Sequence, residues 1–398
     1  MSAMSQANYS NQIRLAVVTE TWPPEVNGVA NTIQHLVNGL LRLGRYYIEL
    51  VRPKQSASDQ PLLQEDFEEY LTNAITLPFY KEVKAGSPHF FGLRKRWKQQ
   101  RPDIIQIVTE GPLGYSAMRA AKSLGIPVFS DFHTNFDQYS QHYHLTYGWR
   151  LVNRYLRHLH NSTLCTLVPT TELAQQLQRS GYKNLEILER GINAGLFHPH
   201  KRSQQLRHSL GIMDGQLMVT LVSRMAHEKN LDLAFAAYRE IQQQVPNARF
   251  VLIGDGPDRA RLQAQHPDCL FVGMQTGEAL AQHYASGDLF LYPSTSETFG
   301  NVIIEAMASG LPVVTYDYAA AHKYIQSGKN GITVELHNEG AFIDAAVSLA
   351  TQSQQRHAMG IKARATTQQL SWDNVVLHLD HITQQLLAKV HHEETAPA

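Results

Sequence analysis

The chain has 398 residues, which is more than one hydrophobic core usually supports, so we expect two domains. Hydrophobic residues make up 43% of the chain and charged residues 18%, a balance typical of globular rather than disordered proteins. The formal net charge is zero, which argues against a general polyanion binder, so no nucleic-acid partner is expected.

The cysteines and the N-terminus indicate the cell compartment. Cys165 and Cys269 are far apart in sequence and predict neither a disulfide framework nor a zinc site. The first residues are polar and lack the apolar core of a signal peptide. No apolar run approaches the ~20 residues that span a bilayer. We therefore expect a cytoplasmic protein whose contact with a membrane, if any, is peripheral.

Short apolar runs alternate with helical periodicity through the first half of the chain. Residues 53–72 are polar and predict a surface excursion. The predicted strands are residues 14–19, 48–52, 103–108, 126–130, 163–168 and 185–188. The predicted helices are residues 29–43, 90–101, 117–124, 149–160 and 171–179.

A second alternation follows residues 194–203, which have the composition of a linker. Its predicted strands are residues 217–222, 250–253, 270–272, 289–292 and 313–315. Its predicted helices are residues 231–244, 278–285, one entered at 298, a helical region over 340–370 and a terminal helix over 373–390. Residues 317–322 are predicted to be a loop.

The pattern predicts an α/β protein with two doubly wound, Rossmann-like domains. We place the first over residues 1–195 and the second over 196–372, followed by a C-terminal helix over 373–398. Because ligands of open α/β sheets bind at the carboxyl ends of the strands, the loops after the strands are the candidate site. If the domains face each other, these loops line one cleft.

Glu297 and Glu305 bracket the most informative stretch. Thr298 is a candidate N-cap, and Gly300 leaves a backbone N–H at the first helical turn, where the helix dipole favours an anion. Glu305 lies within an apolar helix, where a carboxylate is unusual unless it is paired or binds a ligand. Macrodipole partners on the surface are the alternative interpretation. The pattern favours a phosphate flanked by hydroxyl-rich groups, as in a nucleotide-sugar.

Arg224 and Lys229 share the loop after a predicted strand, and together they suit a diphosphate. His133 follows another strand, where a structural and a ligand-binding histidine are equally expected. Asp131 precedes it by two residues and is a candidate contact for an acceptor hydroxyl. Gly28, at a helix start, suits close approach to a phosphate or sugar, or is merely a turn residue.

Several motifs are missing from the sequence. There is no Asp-x-Asp, no Walker motif and no G-x-G-x-x-G fingerprint, so a metal–diphosphate clamp is not indicated. We expect positive side chains and helix dipoles to stabilise a leaving diphosphate instead, with no metal and no cofactor. Residues 90–101 combine aromatic and basic side chains, which predicts either a solvated amphipathic helix or one that touches anionic lipid.

These residues resemble the retaining glycosyltransferases of family 4, which have the GT-B fold of two facing Rossmann-like domains. The similarity runs over nearly the whole chain, and the E-x7-E motif of Glu297 and Glu305 is its most specific part. Further matches are TETWPPEVNGVA (19–30), DFHTNF (131–136), SRMAHEKNLD (223–232) and IGDGP (253–257). The bacterial GDP-mannose-dependent α-mannosyltransferases and the sulfoquinovosyl- and glucosyl-diacylglycerol synthases look most similar.

The resemblance implies roles for particular residues. Arg224 and Lys229 would bind the donor diphosphate, Glu305 the ribose, and Glu297 and His133 the donor sugar. Phe299, Gly300 and Asn301 would contribute backbone contacts, and Gly28 would approach the phosphates or the acceptor. The candidate catalytic residues are His133, Glu297, Arg224 and Lys229. The candidate acceptor contacts are Asp131, Asn27 and Glu110.

The resemblance further implies a nucleotide-sugar donor, with GDP-mannose favoured over UDP-hexoses, and a lipid or saccharide acceptor. It implies retention of the anomeric configuration without a metal, and a terminal helix that crosses back to the first domain. One departure is the Ala319-Ala320-Ala321-His322 stretch, where many relatives carry Gly-Gly. The alternatives are a GT-B epimerase or phosphorylase, and a non-catalytic module that binds sugar nucleotides.

Overall fold

We describe the fold from a computed structural model of the chain, which describes residues 12–25, 27–77, 80–133 and 146–395. The chain divides into two units, one of Met1–Glu189 with Trp372–Ala398 and one of Arg190–Ser371. Residues 190–195, which the sequence analysis placed in the first domain, belong to the second unit. They do so because the backbone N–H of Ile192 donates to the carbonyl of Leu370 (2.7 Å).

A parallel seven-stranded sheet forms the centre of the first unit, in the order β3-β2-β1-β6-β7-β8-β9. The strands are β1 (Ile13–Val18), β2 (Tyr46–Pro53), β3 (Phe67–Thr72), β4 (Ala74–Leu77), β5 (Tyr80–Gly86), β6 (Ile104–Ile107), β7 (Val128–Asp131), β8 (Thr166–Val168) and β9 (Leu185–Ile187). Strands β4 and β5 pair with each other in an antiparallel hairpin. The helices are α1 (Gly28–Arg42), α2 (Phe90–Gln99), α3 (Pro112–Ser123), α4 (Thr146–His160) and α5 (Thr171–Arg179).

Strand β1 lies inside the sheet and is apolar from Leu15 to Val18, because both of its faces are covered there. Its successive side chains alternate between two cores. Leu15 and Val17 pack in the cluster that contains the apolar stripe of α1, whereas Ala16 and Val18 pack with residues of α2 and α3. Because β1, β6 and β7 are parallel neighbours, their carboxyl ends lie at the same edge of the sheet, where the candidate residues of this unit lie.

The prediction of a surface excursion over residues 53–72 is wrong for its last part, since β3 is the edge strand of the sheet. Polar side chains hid this strand. Arg52, buried on the neighbouring β2, forms ion pairs with Asp59 (2.6 Å) and with Glu69 of β3 (2.8 Å). Because these charges satisfy one another, the strand needs no apolar pattern to lie against the sheet.

A parallel six-stranded sheet forms the centre of the second unit, in the order β12-β11-β10-β13-β14-β15. The strands are β10 (Met218–Val222), β11 (Arg249–Ile253), β12 (Leu270–Gly273), β13 (Leu289–Tyr292), β14 (Val313–Tyr316) and β15 (Ile332–Val334). The helices are α6 (Gln204–Ser209), α7 (Leu231–Gln244), α8 (Arg259–Gln265), α9 (Gly277–Ser286), α10 (Asn301–Ala308), α11 (Ala319–Tyr324), α12 (Glu339–Thr351) and α13 (Ser353–Thr367).

Two segments of the second unit differ from prediction. Residues 194–203 are not a free linker, because Phe197 is buried and Arg364 donates to the carbonyls of Ala194 and Phe197. Residues 317–322 are not a loop throughout, because α11 begins at Ala319. The apolar Ala319–Ala321 run lies in the core, and Ala320 donates its N–H to the carbonyl of Phe299 (2.8 Å).

The terminal helix α14 (Trp372–Thr395) belongs to the first unit and packs on α1. Gly39 of α1 provides the room, since a Cβ atom there would lie 2.2 Å from Cγ2 of Val376. Tyr46 donates a buried hydrogen bond to Asp380 (2.7 Å). None of the helices that the structure describes is both long and apolar enough to cross a membrane.

Candidate active site

The two motif carboxylates lie near the carboxyl edge of the second sheet, where β13 leads into α10. Gly300 precedes the helix with a left-handed backbone (φ 94°), and no side chain caps the helix. The predicted N-cap at Thr298 is therefore wrong. Gly300 adopts a conformation that other residues rarely reach, and it turns the loop after β13 into α10. The helix begins two residues later than the sequence indicates, which places Glu305 just over one turn from its start.

Four donated hydrogen bonds hold the loop around Glu297. The Oε1 atom of Glu297 accepts hydrogen bonds from Lys229 Nζ (2.5 Å), Ser294 Oγ (2.8 Å) and the hydroxyl of Tyr292. Lys229 also donates to the carbonyl of Ser296 (3.1 Å). The side chains of Lys229 and Glu297 are 15% and 13% exposed. An ion pair this well buried and this well hydrogen-bonded is held in one geometry.

Glu305 occupies the apolar surroundings that the sequence predicted. Burial raises the pKa of its carboxyl to about 7, and a hydrogen bond from the hydroxyl of Tyr284 (2.9 Å) opposes this rise. Tyr284 lies on α9 and is fully buried. Near neutral pH, Glu305 therefore changes its charge with a modest change in its surroundings.

Arg224 and Lys229 follow β10, as predicted, on a loop that contains the 3₁₀ turn His227–Lys229. Arg224 is solvent-exposed. The loop packs against the glycines that follow β11. A Cβ atom at Gly254 would lie 2.0 Å from the carbonyl oxygen of Ser223, and one at Gly256 would lie 2.3 Å from that of Met225. The two glycines of the Gly-Asp-Gly-Pro stretch therefore let two strand-end loops approach each other closely.

The remaining donor-side candidates of this unit lie at the start of α10. The ring of Phe299 is buried against Tyr324, so only its backbone is available to a ligand. Asn301 is the first residue of the helix, and its buried Oδ1 accepts no hydrogen bond from the part of the chain that the structure describes. A ligand donor at that oxygen would satisfy it.

In the first unit, Asn27 and Gly28 form the start of α1. Asn27 is the N-cap, and its Oδ1 accepts from the N–H groups of Val29 (3.1 Å) and Ala30 (2.8 Å). Its amide nitrogen donates to Thr21 (2.6 Å). Asn27 therefore caps α1, a structural role that was not predicted from the sequence. Gly28 is exposed at the mouth of the helix.

Asp131 and His133 come together at the end of β7. His133 Nε2 lies 3.3 Å from Asp131 Oδ2, and both side chains are buried. Asp131 also accepts from Gln106 of β6 (2.7 Å). Thr134, Asn135 and Phe136, which carry the rest of the DFHTNF match, lie outside the described residues.

Glu110 follows β6, and a carboxylate that the sequence analysis missed lies beside it. Glu110 Oε1 is 3.2 Å from His160 Nε2. Glu20, two residues after the end of β1, accepts a hydrogen bond from the N–H of Leu113 at the start of α3 (3.0 Å). Burial raises the pKa of Glu20 to about 7, and the charge of Glu110 adds to the rise. The position of Glu20 after a predicted strand could have identified it as a candidate, as the strand-end position of Asp131 did.

The second unit therefore brings Lys229 and Glu297 into direct contact and holds Glu305 on the adjoining helix. The first unit brings Asp131 to His133, and Glu20 into the electrostatic range of Glu110. Among the residues that the structure describes, no three His, Cys, Asp or Glu side chains are grouped to hold a metal ion. Tyr284, Tyr292 and Ser294 were not predicted from the sequence, because buried tyrosine and serine residues usually belong to the core.

Comparison with known proteins identifies the family. The family described as "Glycosyltransferase Family 4" matches residues 26–196, and "Glycosyl transferases group 1" matches residues 216–352. A GDP-mannose-dependent alpha-mannosyltransferase of Mycobacterium tuberculosis is 30% identical over 363 residues, covering 90% of this chain and 93% of the relative. A sulfoquinovosyl transferase of Arabidopsis thaliana is 30% identical, covering 90% and 71%. An alpha-monoglucosyldiacylglycerol synthase of Acholeplasma laidlawii is 26% identical, covering 82% and 86%.

Solved structures have the same fold at low sequence identity. Sucrose-phosphate synthase from Thermosynechococcus elongatus superposes with a TM-score of 0.77 at 17% identity, covering 95% of this chain and all of the other. Anabaena HepE in complex with UDP and glucose superposes with a TM-score of 0.73 at 17% identity, covering 94% and 100%. Two parallel-sheet domains of this kind constitute the GT-B fold. The chain belongs to glycosyltransferase family 4 and is a transferase enzyme.

Proposed function

We propose that the protein is a retaining hexosyltransferase that moves mannose from GDP-mannose to a hydroxyl of a lipid or a saccharide. The observation that carries the proposal is the contact of Lys229 with Glu297 at the carboxyl edge of one sheet, with Glu305 on the helix that follows. This arrangement offers a cation for phosphate and two carboxylates for hydroxyl groups within a few turns of chain. The mannosyltransferases among the relatives favour mannose as the hexose.

In this proposal each donor group meets a chemically matched side chain. Arg224 and Lys229 bind the diphosphate, and the N–H groups at the start of α10, near Phe299, Gly300 and Asn301, add positive potential. Glu305 accepts hydrogen bonds from the vicinal hydroxyls of the ribose. Glu297 and His133 bind the hexose, and Gly28 approaches the phosphates or the acceptor.

The chemistry exchanges one bond at the anomeric carbon for another on the same face. The bond from this carbon to the phosphate oxygen breaks, and the bond to the acceptor oxygen forms through an oxocarbenium-like transition state. The acceptor proton passes to the leaving diphosphate. Arg224 and Lys229 stabilise the negative charge that develops on that group, so no metal ion is required. We expect transfer to persist in excess EDTA, and a loss of activity that Mg²⁺ or Mn²⁺ restores would contradict this part of the proposal.

Acceptor binding falls to the first unit in this proposal. Asp131, Asn27 and Glu110 lie at strand or helix ends there and supply polar groups for acceptor hydroxyls. Asn27 has most of its capacity committed to capping α1, which makes Asp131 and Glu110 the stronger candidates. The Oδ1 atom of Asp131 is buried and accepts no hydrogen bond from the described residues.

We further propose that α2 holds the enzyme at the inner, cytoplasmic face of a membrane. Leu93 and Trp97 bury one face of this helix, and Arg96 pairs with Glu49 and Glu68. The opposite face differs, since Phe91 is 83% exposed and Lys95 and Lys98 are exposed beside it. The spacing i, i+4, i+7 puts these three on one stripe, which suits anionic lipid.

A second donor class is supported by the diacylglycerol synthases among the relatives. A UDP-glucose- or UDP-galactose-dependent glycolipid synthase would use the same residues with a different base and hexose. A non-catalytic module that binds sugar nucleotides is the weaker alternative, because Arg224, Lys229, Glu297 and Glu305 are all present.

A thermal-shift screen of GDP- and UDP-sugars tests the proposal, since a ligand that binds only the folded state raises its stability by mass action. We expect GDP-mannose to raise Tm and Glu305→Ala to abolish most of the rise. A transfer or donor-hydrolysis assay with the same sugars separates an enzyme from a binding module. An unchanged donor response in Glu305→Ala would show that Glu305 does not hold the ribose.

A further inference from the structure

Each motif carboxylate accepts a hydrogen bond from the hydroxyl of a buried tyrosine on another element. Tyr292, the last residue of β13, donates to Oε1 of Glu297. Tyr284, on α9, donates to Oε2 of Glu305 at 2.9 Å. The two tyrosines are 3% and 0% exposed. Burial, and then the neighbouring glutamate, raise the pKa of each phenol well above its ordinary value, so both remain protonated donors.

A buried donor of this kind fixes a flexible side chain before a ligand arrives. A glutamate loses considerable rotamer entropy when it is held in one conformation. The tyrosine ring has little freedom of its own in a packed core, so its hydroxyl selects one position of the carboxylate. Ser294 and Lys229 reinforce Tyr292 at Glu297, whereas Tyr284 is the side-chain donor that the structure gives for Glu305.

We propose that Tyr292 and Tyr284 are positioning residues with separate duties. Tyr292 orients Glu297 toward the hexose of the donor, and Tyr284 orients Glu305 toward the ribose. This inference rests on the proposed function, in which Glu297 binds the hexose and Glu305 the ribose. Loss of the Tyr292 hydroxyl then affects ligands that carry a hexose, while loss of the Tyr284 hydroxyl affects every nucleotide ligand.

The two Tyr→Phe variants test this separation, because each removes a single hydroxyl and keeps the ring. Titration calorimetry measures the Kd of GDP and of GDP-mannose for each variant. We expect Tyr284→Phe to weaken both ligands about tenfold, the size typical of a hydrogen bond to a charged group. We expect Tyr292→Phe to leave GDP within about twofold of wild type while GDP-mannose weakens and its preference over GDP-glucose falls about tenfold.

Tyr238→Phe is the matched control. Tyr238 is a fully buried tyrosine of the same unit, and its hydroxyl donates to the backbone carbonyl of Ala248 (2.9 Å) rather than to a motif glutamate. We expect its Tm to fall as in the other two variants, with GDP and GDP-mannose binding unchanged. A second check uses Glu297→Gln as the background, where Tyr292→Phe should add little, because residues that act through one another are not additive.

The outcomes separate the inference from the proposed function. Equal weakening of GDP and GDP-mannose in Tyr292→Phe, or the same binding profile in Tyr238→Phe, would overturn the inference and leave the proposed function standing. If the wild-type protein binds UDP and UDP-glucose but neither GDP nor GDP-mannose, the proposed donor is overturned. The inference is then decided by comparing the Kd of UDP and of UDP-glucose in the two Tyr→Phe variants. A wild-type protein that binds no nucleotide would overturn both.

Discussion

Glu305 combines a proposed binding role with a cost in stability. Burial raises the pKa of its carboxyl from 4.5 to about 7, although Tyr284 donates to it. At neutral pH the protein therefore holds a carboxylate in a place that disfavours its charge. A ligand with two vicinal hydroxyls would compensate for the lost hydration, which is the physical reason to expect ribose there.

The pH dependence of nucleotide affinity follows from this pKa. The ionised form of Glu305 accepts ligand hydroxyls better than the protonated form does, so we expect the affinity for GDP to be highest above pH 7 and to fall below it. Glu305→Gln should bind GDP about tenfold more weakly at pH 8 and show a much flatter profile. Calorimetry at pH 5.5 to 8.5 measures both. A wild-type profile that is equally flat would contradict the assignment.

The same pKa predicts an opposite effect on stability. The folded state binds more protons than the unfolded state between pH 4.5 and about 7, so the free energy of unfolding decreases as the pH rises through this window. Glu305→Gln removes the cost of the buried charge. We expect it to be more stable than wild type at pH 8, by on the order of 3 kcal/mol at most, and equal to it near pH 4. Urea unfolding at the two pH values checks this.

Ala319 adopts a backbone conformation that L-residues rarely take, with φ 52°. It also lies in the core, so a larger side chain there meets both strain and crowding. We expect Ala319→Gly to stay within about 1 kcal/mol of wild type, because relief of strain offsets greater freedom of the unfolded chain. Ala319→Val should cost about 2 kcal/mol or more. Denaturant unfolding compares them, and equal stability of the two variants would refute the argument.

At the level of single elements, α2 has two chemically different faces. Leu93 and Trp97 anchor it in the core, and Trp97 donates to buried Glu49 (2.7 Å). Phe91, Lys95 and Lys98 are left exposed on one stripe. The buried face explains why the helix forms, and the exposed face is the one that we propose contacts anionic lipid.

Vesicle sedimentation tests this surface of α2. We expect the protein to bind vesicles with anionic lipid and not vesicles of neutral lipid, with binding that weakens as salt increases. Lys95→Glu with Lys98→Glu should reduce anionic binding by roughly tenfold or more, since each basic residue near the surface contributes about 1 kcal/mol. Lys329→Glu with Lys362→Glu is the matched control, since it reverses the same number of charges at two exposed lysines of the other unit. Equal binding of the two charge variants would contradict the assignment.

At the scale of the whole molecule, the chain returns to its first unit through α14. The return buries Val376 and Leu379 against α1 and closes the core that contains β1 and β2. The first unit therefore depends on residues that lie more than 180 positions after its last preceding segment, which ends at Glu189. This non-local element completes the core that supports the loops at the edge of the first sheet.

Two leucines of α14 give a matched test. Leu379 is fully buried, whereas Leu377 on the same helix is 50% exposed. We expect Leu379→Ala to lower the free energy of unfolding by about 2–5 kcal/mol and Leu377→Ala to change it by less than about 1 kcal/mol. Urea unfolding measures both. If the two variants lost equal stability, the packing of α14 on α1 would not be what stabilises this unit.

Much of the fold and site followed from local patterns. Apolar runs such as residues 217–222 predicted buried strands because a parallel sheet covers both faces of each strand. Strand-end positions selected Arg224 and Lys229 in one unit and Asp131 and His133 in the other, because a parallel sheet gathers its own strand ends at one edge. The polar strand β3 escaped prediction, since ion pairs made across the sheet by Arg52 replaced the usual apolar signal.

The sequence by itself determined the family, the alternation of strands and helices, and which residue types are available for phosphate and hydroxyl groups. Only the tertiary structure decided how the motif carboxylates are held. Tyr292 and Tyr284 reach Glu297 and Glu305 from a neighbouring strand and helix, and the helix of the motif begins after a left-handed Gly300 rather than at Thr298. Such contacts depend on the packing of separate elements, which residue spacing within one segment does not encode.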